Sequence, residues 1–119
     1  MTTDLSGLRV LIVEDEPLEA IDYQDILRDA GAEVLGPYVS AQSIAKGAVE
    51  RCHVAILDYA SRDGTSLQIQ QQLERLGIPF IVVTAYPRVL VRKHDGQNVV
   101  CKPISPELLC AMVRASARA

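Results

Sequence analysis

The chain has 119 residues, with 12 lysines and arginines against 15 aspartates and glutamates, for a formal net charge of −3. This length fits one domain with a sizeable core, and the acidic balance gives no electrostatic basis for direct binding to nucleic acid. No apolar run approaches the roughly 18 residues of a membrane span, and the N-terminus lacks a secretory signal pattern. We therefore expect a single cytoplasmic domain that binds neither membrane nor DNA.

The cysteines show no metal-ligand spacing, which indicates buried thiols in a reducing compartment at Cys52, Cys101 and Cys110.

The first half of the chain alternates between strand-like and helix-like segments. Residues 8–13 form an apolar run with β-branched side chains, and a helical stripe of apolar residues follows it. Residues 33–36 predict a weaker strand that ends before Pro37, because proline cannot donate a hydrogen bond to a sheet. Ser40 is predicted to cap a second helix over residues 41–51.

The strand over residues 54–58, VAILD, is the segment around which the chain is organised. Its four consecutive apolar residues indicate a strand buried on both faces, and it ends in a carboxylate, Asp58. Residues 67–76 predict a third helix with a glutamine-rich solvent face. Its predicted inward side chains are Leu67, Ile69, Leu73 and Leu76. Residues 80–84 form a second fully apolar strand, which ends in Thr84.

The last third of the chain contains one ambiguous segment and one clear unit. Residues 85–98 contain a proline and a glycine and show no helical stripe, so any helix there should be short. Residues 99–102 predict the fifth strand, which ends in Lys102. A serine, a proline and a glutamate at 105–107 are typical of a helix start and predict a final helix.

Strands that alternate with crossover helices predict an α/β fold with a five-stranded parallel sheet covered on both faces. Right-handed crossovers favour the strand order 2-1-3-4-5, the doubly wound (βα)5 arrangement of flavodoxin-like proteins. The first and third strands are then neighbours at the point where the order reverses. Ligands of open α/β sheets bind at the carboxyl edge at this point.

Five polar residues are predicted to meet at that edge: Glu14, Asp15, Asp58, Thr84 and Lys102. Three neighbouring carboxylates repel one another, and a hard divalent cation such as Mg²⁺ would supply the counter-charge through oxygen ligands. Together with an ammonium and a hydroxyl group, such a site is suited to holding a phosphoryl group. Asp58 is the predicted nucleophile, which would form an aspartyl phosphate.

These residues and their order resemble the receiver domain of two-component response regulators. The matching motifs are VEDE at 13–16, AILD at 55–58, VVTA at 82–85 and CKP at 101–103. The resemblance covers nearly all of residues 1–119. It implies phosphorelay signalling in which Asp58 accepts a phosphoryl group from a phosphohistidine of a histidine kinase or phosphotransfer protein. The receiver would switch a surface for a downstream protein target and would not be a turnover enzyme.

The resemblance also implies individual roles for the site residues. The Mg²⁺ ligands would be Asp15, Asp58 and the backbone carbonyl of Ala60, with a metal-bound water held by Glu14. The phosphoryl oxygens would be contacted by Thr84 and Lys102. The peptide bond between Lys102 and Pro103 would be cis.

The chain departs from the usual receiver pattern in the loop after the phosphoacceptor and at the switch position. Ser61-Arg62 stands where most receivers have an apolar residue and a proline, and Val99 replaces the usual aromatic switch residue. Tyr86 follows Thr84 by two positions, which resembles a subgroup of stand-alone regulators in which the fourth helix, before the fifth strand, is shortened. We expect Thr84 and Tyr86 to form the switch, with residues 86–98 as the phosphorylation-sensitive surface. The alternative is that Tyr86 is a fixed wall of this segment.

Two other functions fit part of this pattern of residues. A haloacid-dehalogenase-like phosphatase also uses an aspartate nucleophile and Mg²⁺, but Ala60 occupies the place of its general acid. A degenerate receiver, acting as a phosphorylation-independent interaction module, would lack the acids or the lysine that are present here. The sequence leaves open the cognate kinase, the output, a continuation beyond Ala119, and the choice between a monomer and a phosphorylation-dependent dimer.

Overall fold

The computed structural model describes residues 3–58, 66–85 and 98–117. Its strands are β1 (Arg9–Val13), β2 (Glu33–Tyr38), β3 (Val54–Asp58), β4 (Phe80–Thr84) and β5 (Asn98–Cys101). Its helices are α1 (Pro17–Asp29), the short α2 (Ala48–Arg51), α3 (Ser66–Leu76) and the C-terminal helix (Pro106–Ser116), with a 3₁₀ turn at Ala41–Ser43. None of the helices within the described ranges is long and apolar enough to cross a membrane.

The strands form one parallel sheet in the order β2-β1-β3-β4-β5. The predicted fold class and strand order are therefore confirmed. Val13 lies opposite Leu57, and Asp58 lies opposite Val83. Because these strands are in step, the residues that follow β1 and end β3 and β4 emerge at one edge of the sheet.

Each face of the sheet carries its own apolar core. Alternate side chains of a strand point to opposite faces, so Ile12 and Ile56 pack on one face while Leu11 and Leu57 pack on the other. α1 and the C-terminal helix cover the first face, and α2 and α3 cover the second. All five residues of β3 and of β4 are buried, as their uninterrupted apolar runs predict.

The predicted helix over residues 41–51 is wrong, because the segment is a 3₁₀ turn followed by the short α2. Ser40 does precede the first piece, but the Ser43 hydroxyl donates to its carbonyl at 2.8 Å and accepts from its N–H at 3.1 Å. These local bonds compete with a regular helix. Gly47 has a φ of +85°, which lies outside the helical region, and α2 begins only after it.

The predicted end of β2 before Pro37 is also wrong, since the strand continues to Tyr38. β2 lies at the end of the strand order, where a proline costs the sheet little. The pairing shifts register between Leu11 and Val13, so that Val13 lies opposite Tyr38. The Tyr38 carbonyl then accepts the Glu14 N–H at 2.8 Å. The extra length of β2 therefore fixes the backbone just beyond β1.

The inward face of α3 differs from the predicted one. Ile69 and Leu73 are buried as predicted, but Leu67 and Leu76 are exposed. Gln70, which the sequence places on the solvent face, is buried. The face of α3 that packs against the sheet is therefore narrower than the leucine pattern suggests. The position of the helix on the sheet decides that Gln70 is the polar side chain buried there.

Two cysteines agree with the prediction of buried thiols, and the third does not. Cys52 and Cys110 are buried, whereas Cys101 is exposed. Cys101 ends β5, which is the last strand of the order and pairs only with β4 in the described part of the sheet.

Candidate phosphoacceptor site

The sheet brings the predicted polar residues together at its carboxyl edge. Glu14 follows β1 directly, Asp58 ends β3 and Thr84 ends β4. All three are buried, with exposed fractions of 1%, 6% and 0%. The apolar strands place these side chains in the interior. Their polar groups therefore need hydrogen-bond or ion-pair partners to offset the loss of contact with water.

Three carboxylates form a tight group at this edge. Oxygen atoms of Glu14, Asp15 and Asp58 lie within 4.8 Å of one another. Glu14 Oε2 accepts the backbone N–H of Glu16 at 3.1 Å. Glu14 Oε1 is buried and has no hydrogen-bond partner among the described residues. Its ion pair with Lys102 Nζ spans 3.6 Å, which is longer than a normal hydrogen bond.

The start of α1 positions this acidic loop. Pro17 is the first residue of the helix, and the Glu16 carboxylate accepts the Leu18 N–H at 3.1 Å. Ala20, Tyr23 and Leu27 anchor the helix against the sheet. The loop that carries Asp15 is therefore held between β1 and a packed helix.

Lys102 supplies a positive charge to the site. Its Nζ lies 3.5 Å from Asp58 Oδ1 and 2.8 Å from Glu19 Oε1. Its backbone N–H donates to the Thr84 carbonyl at 2.7 Å, and the peptide bond between Lys102 and Pro103 is cis. Strand pairing thus fixes the backbone of Lys102, and its side chain extends among three carboxylates.

Burial and mutual repulsion shape the ionisation of the site. Burial raises the pKa of Glu14 to about 8, and the neighbouring Asp58 carboxylate adds to this rise. The Glu16 N–H and the Lys102 ammonium oppose the rise without cancelling it. Burial by itself would lower the pKa of Lys102, but the carboxylates of Glu19, Glu14 and Asp58 raise it above its usual range. The acids hold the lysine charged, yet one ammonium does not neutralise them.

These residues fit a hard divalent cation. Three converging carboxylates offer the oxygen ligands that Mg²⁺ prefers, and a buried oxygen without a hydrogen-bond partner is an acceptor still available to a cation. The raised pKa of Glu14 reflects the same shortage of positive charge. A divalent ion would relieve the repulsion that the protein alone leaves in place.

Comparison with known proteins finds relatives of this chain among bacterial regulators. No family model matches the chain. Over 110 residues the chain is 28% identical to the phyllosphere-induced regulator PhyR of Methylorubrum extorquens, in a match that covers 87% of this chain and 41% of PhyR. It is 26% identical over 115 residues to the protein PilH of Pseudomonas aeruginosa, covering 90% of this chain and 95% of PilH.

A solved structure agrees with these matches. The solution NMR structure of the Erythrobacter litoralis PhyR response regulator REC domain superposes with a TM-score of 0.78 at 25% identity, covering 94% of this chain and 91% of that chain. This chain is a homologue of response regulator receiver domains. It spans less than half the length of the Methylorubrum PhyR, whereas PilH is close to it in length.

Several predicted features lie outside the described residues. They are the Ala60 carbonyl as a metal ligand, the Ser61-Arg62 departure, Tyr86 as a switch residue, and residues 86–97 with their shortened helix and phosphorylation-sensitive surface. Val99, which stands at the usual receiver switch position, is half-buried and packs against the core on the α2 and α3 face of the sheet. Its side chain therefore has a packing role in this receiver homologue.

Sequence reasoning missed one residue of the site. Glu19 lies in the first turn of α1, where an acidic residue is explained by the helix dipole alone. Its carboxylate is nevertheless the nearest ion-pair partner of Lys102 Nζ in the described structure. A helix-start acid carries no signal for a contact with a lysine that follows the fifth strand, so only the packing of α1 reveals it.

Proposed function

We propose that this receiver homologue is a phosphoacceptor that takes a phosphoryl group on Asp58 from a phosphohistidine of a histidine kinase or phosphotransfer protein. The observation that carries the proposal is the placement of a buried Asp58 carboxylate beside two further acids and 3.5 Å from the Lys102 ammonium. A purely structural aspartate at a strand end has no need of such neighbours. The relatives PhyR and PilH support the same assignment.

The transfer forms one bond and breaks another. An Asp58 carboxylate oxygen bonds to phosphorus while the bond from phosphorus to the donor imidazole nitrogen breaks, and that nitrogen keeps the electron pair. Mg²⁺, held by Asp15 and Asp58 with Glu14 beside it and with the Ala60 carbonyl as a further predicted ligand, would neutralise phosphoryl charge. Burial of Asp58 limits the water around it.

Lys102 and Thr84 would act on the phosphoryl oxygens. The Lys102 ammonium lies 3.5 Å from Asp58 Oδ1, so a small shift would bring it to a phosphoryl oxygen on that carboxylate. The Thr84 hydroxyl is buried at the end of the neighbouring strand and would donate a hydrogen bond. Both residues supply donors where negative charge accumulates, which is the usual way proteins stabilise phosphoryl transfer.

The output is proposed to be a change in protein binding. Phosphorylation would add about 1.5 to 2 negative charges beside Thr84. The predicted response is a change at Tyr86 and residues 86–98 that alters the surface offered to a downstream protein. In this scheme the chain promotes its own phosphorylation and dephosphorylation and is not a turnover enzyme.

Intact-mass measurement tests the assignment directly. The purified chain is incubated with Mg²⁺ and phosphoramidate, a small donor with a phosphorus-nitrogen bond. We expect one added phosphoryl group, absent in Asp58→Asn and retained in Asp25→Asn, which changes an exposed aspartate on α1. Labelling that survives Asp58→Asn would overturn the assignment. Wild-type protein that takes no label under these conditions would favour the degenerate, interaction-only receiver.

A further inference from the structure

The ammonium of Lys102 is closer to Glu19 than to the proposed phosphoacceptor. Its Nζ lies 2.8 Å from Glu19 Oε1, within normal hydrogen-bond distance, and 3.5 Å from Asp58 Oδ1, outside it. The Lys102 side chain is 19% exposed and that of Glu19 is 36% exposed, so water screens their interaction only in part. The carboxylate nearest to the Lys102 ammonium therefore belongs to Glu19, which is not one of the three clustered acids.

Glu19 approaches Lys102 from a fixed direction. It sits in the first turn of α1, whose start is capped by Glu16 and whose inner face is buried. Glu19, Tyr23 and Lys102 line a cavity of about 160 Å³ between α1 and the chain after β5. The ion pair therefore draws the ammonium toward the α1 side of the site.

Two effects of Glu19 on a bound phosphoryl group have the same sign. A phosphoryl group on Asp58 needs Lys102, so it must weaken or share the ion pair with Glu19. The Glu19 carboxylate also brings a negative charge near a group that is itself negative, and like charges repel. Both effects lower the affinity of the site for a phosphoryl group.

We propose that Glu19 is a positioning residue that competes with the phosphoryl group for Lys102 and so limits how tightly the site holds that group. This inference rests on the proposed phosphoacceptor function and adds to it a residue outside the metal-binding acids. In the unphosphorylated chain Glu19 gives Lys102 a partner. In the phosphorylated chain Lys102 shifts toward the phosphoryl group, and the ion pair with Glu19 weakens.

Titration with beryllofluoride and Mg²⁺, a stable mimic of the phosphoryl group, measures this competition. We expect Glu19→Gln to bind beryllofluoride about fivefold more tightly than wild type, as for the loss of one partly exposed ion pair. Asp22→Asn is the matched control, because Asp22 is on the same helix and lines the same cavity. It removes an equal charge, yet no ion pair joins Asp22 to Lys102 within the described residues, so we expect less than about a twofold change.

A second measurement follows Lys102 itself without any ligand. The Nζ resonance of Lys102 in ¹⁵N-labelled, metal-free protein should shift in Glu19→Gln and stay in place in Asp22→Asn. Glu19→Asp retains the charge with a shorter side chain, so it should weaken the ion pair and give an affinity between those of wild type and Glu19→Gln.

The outcomes separate this inference from the function on which it rests. Equal or weaker beryllofluoride binding by Glu19→Gln would overturn the role of Glu19 alone, provided the wild type binds. An unmoved Lys102 resonance in Glu19→Gln, or an equal gain in Asp22→Asn, would overturn it as well. A wild-type chain that binds no beryllofluoride would overturn both proposals.

Discussion

The charged residues at the two edges of the sheet differ in burial and in pairing. At the amino edge, the backbone N–H of Arg9 donates to His53 Nδ1 at 2.9 Å, and the backbone N–H of His53 donates to the Arg9 carbonyl at 2.8 Å. Arg51 and Glu33 form an ion pair there with side chains that are both 60% exposed. At the carboxyl edge, Glu14 and Asp58 are buried beside Asp15, and one Glu14 oxygen has no hydrogen-bond partner among the described residues.

Among the described residues, the carboxyl edge carries an electrostatic cost that the amino edge avoids. Polar groups at the amino edge are paired locally or are well exposed, so their removal should change the free energy of unfolding little. The acids at the carboxyl edge repel one another, and a divalent cation would relieve this repulsion. The predictions below test this contrast, beginning with the largest expected effect.

Lys102→Met should slow phosphoryl labelling of Asp58 by roughly a hundredfold, because it removes a donor aimed at developing negative charge. Lys46→Met is the control, since Lys46 is an exposed lysine that lines a different cavity. Time courses of intact mass with phosphoramidate and Mg²⁺ measure both rates. Equal rates for the two variants would show that Lys102 does not act on the phosphoryl group.

The stability of the metal-free protein should fall as the pH rises. Because the folded pKa of Glu14 is about 8 and its reference value is 4.5, its contribution is fully present below pH 4.5 and is lost as the pH rises through 8. The expected loss is on the order of 1 kcal/mol per pH unit within that window. Urea unfolding in EDTA between pH 5 and pH 8.5 gives the free energy of unfolding.

Glu14→Gln isolates this contribution from other titrating groups, since it should remove most of the decline in unfolding free energy. Mg²⁺ should stabilise the wild type most at high pH, where the acids are ionised. A decline that is unchanged in Glu14→Gln would show that Glu14 is not the group responsible.

Asp15→Asn should weaken Mg²⁺ binding about tenfold while leaving the metal-free fold as stable as wild type or slightly more stable. It removes a cation ligand but also relieves repulsion among three carboxylates. Calorimetric titration with Mg²⁺ and urea unfolding in EDTA measure the two quantities, with Asp25→Asn as the exposed control. Unchanged Mg²⁺ affinity would place the cation elsewhere.

Glu33→Gln at the amino edge should change the free energy of unfolding by less than about 0.5 kcal/mol, because its ion pair with Arg51 is well exposed. Urea unfolding at low and high salt gives the comparison. A loss of unfolding free energy as large as the pH-dependent decline that Glu14→Gln is expected to remove would abolish the contrast between the two edges.

The sequence by itself determined the sheet and most of the site. Fully apolar runs at residues 54–58 and 80–84 require burial on both faces, and alternation with helices leaves few strand orders. Once the order is set, residues at the strand ends must meet at one edge. For this reason the sequence alone predicts that Asp58, Thr84 and Lys102 lie together.

Only the tertiary structure decided the features that depend on contacts between distant segments. The edge position of β2 lets the strand pass through Pro37, and Gly47 with the Ser43 hydroxyl breaks the expected helix. The packing of α3 on the sheet buries Gln70, and the packing of α1 brings Glu19 within 2.8 Å of Lys102 Nζ. Local patterns report a residue's preference for an element, whereas its partners depend on how the elements pack, which no local pattern contains.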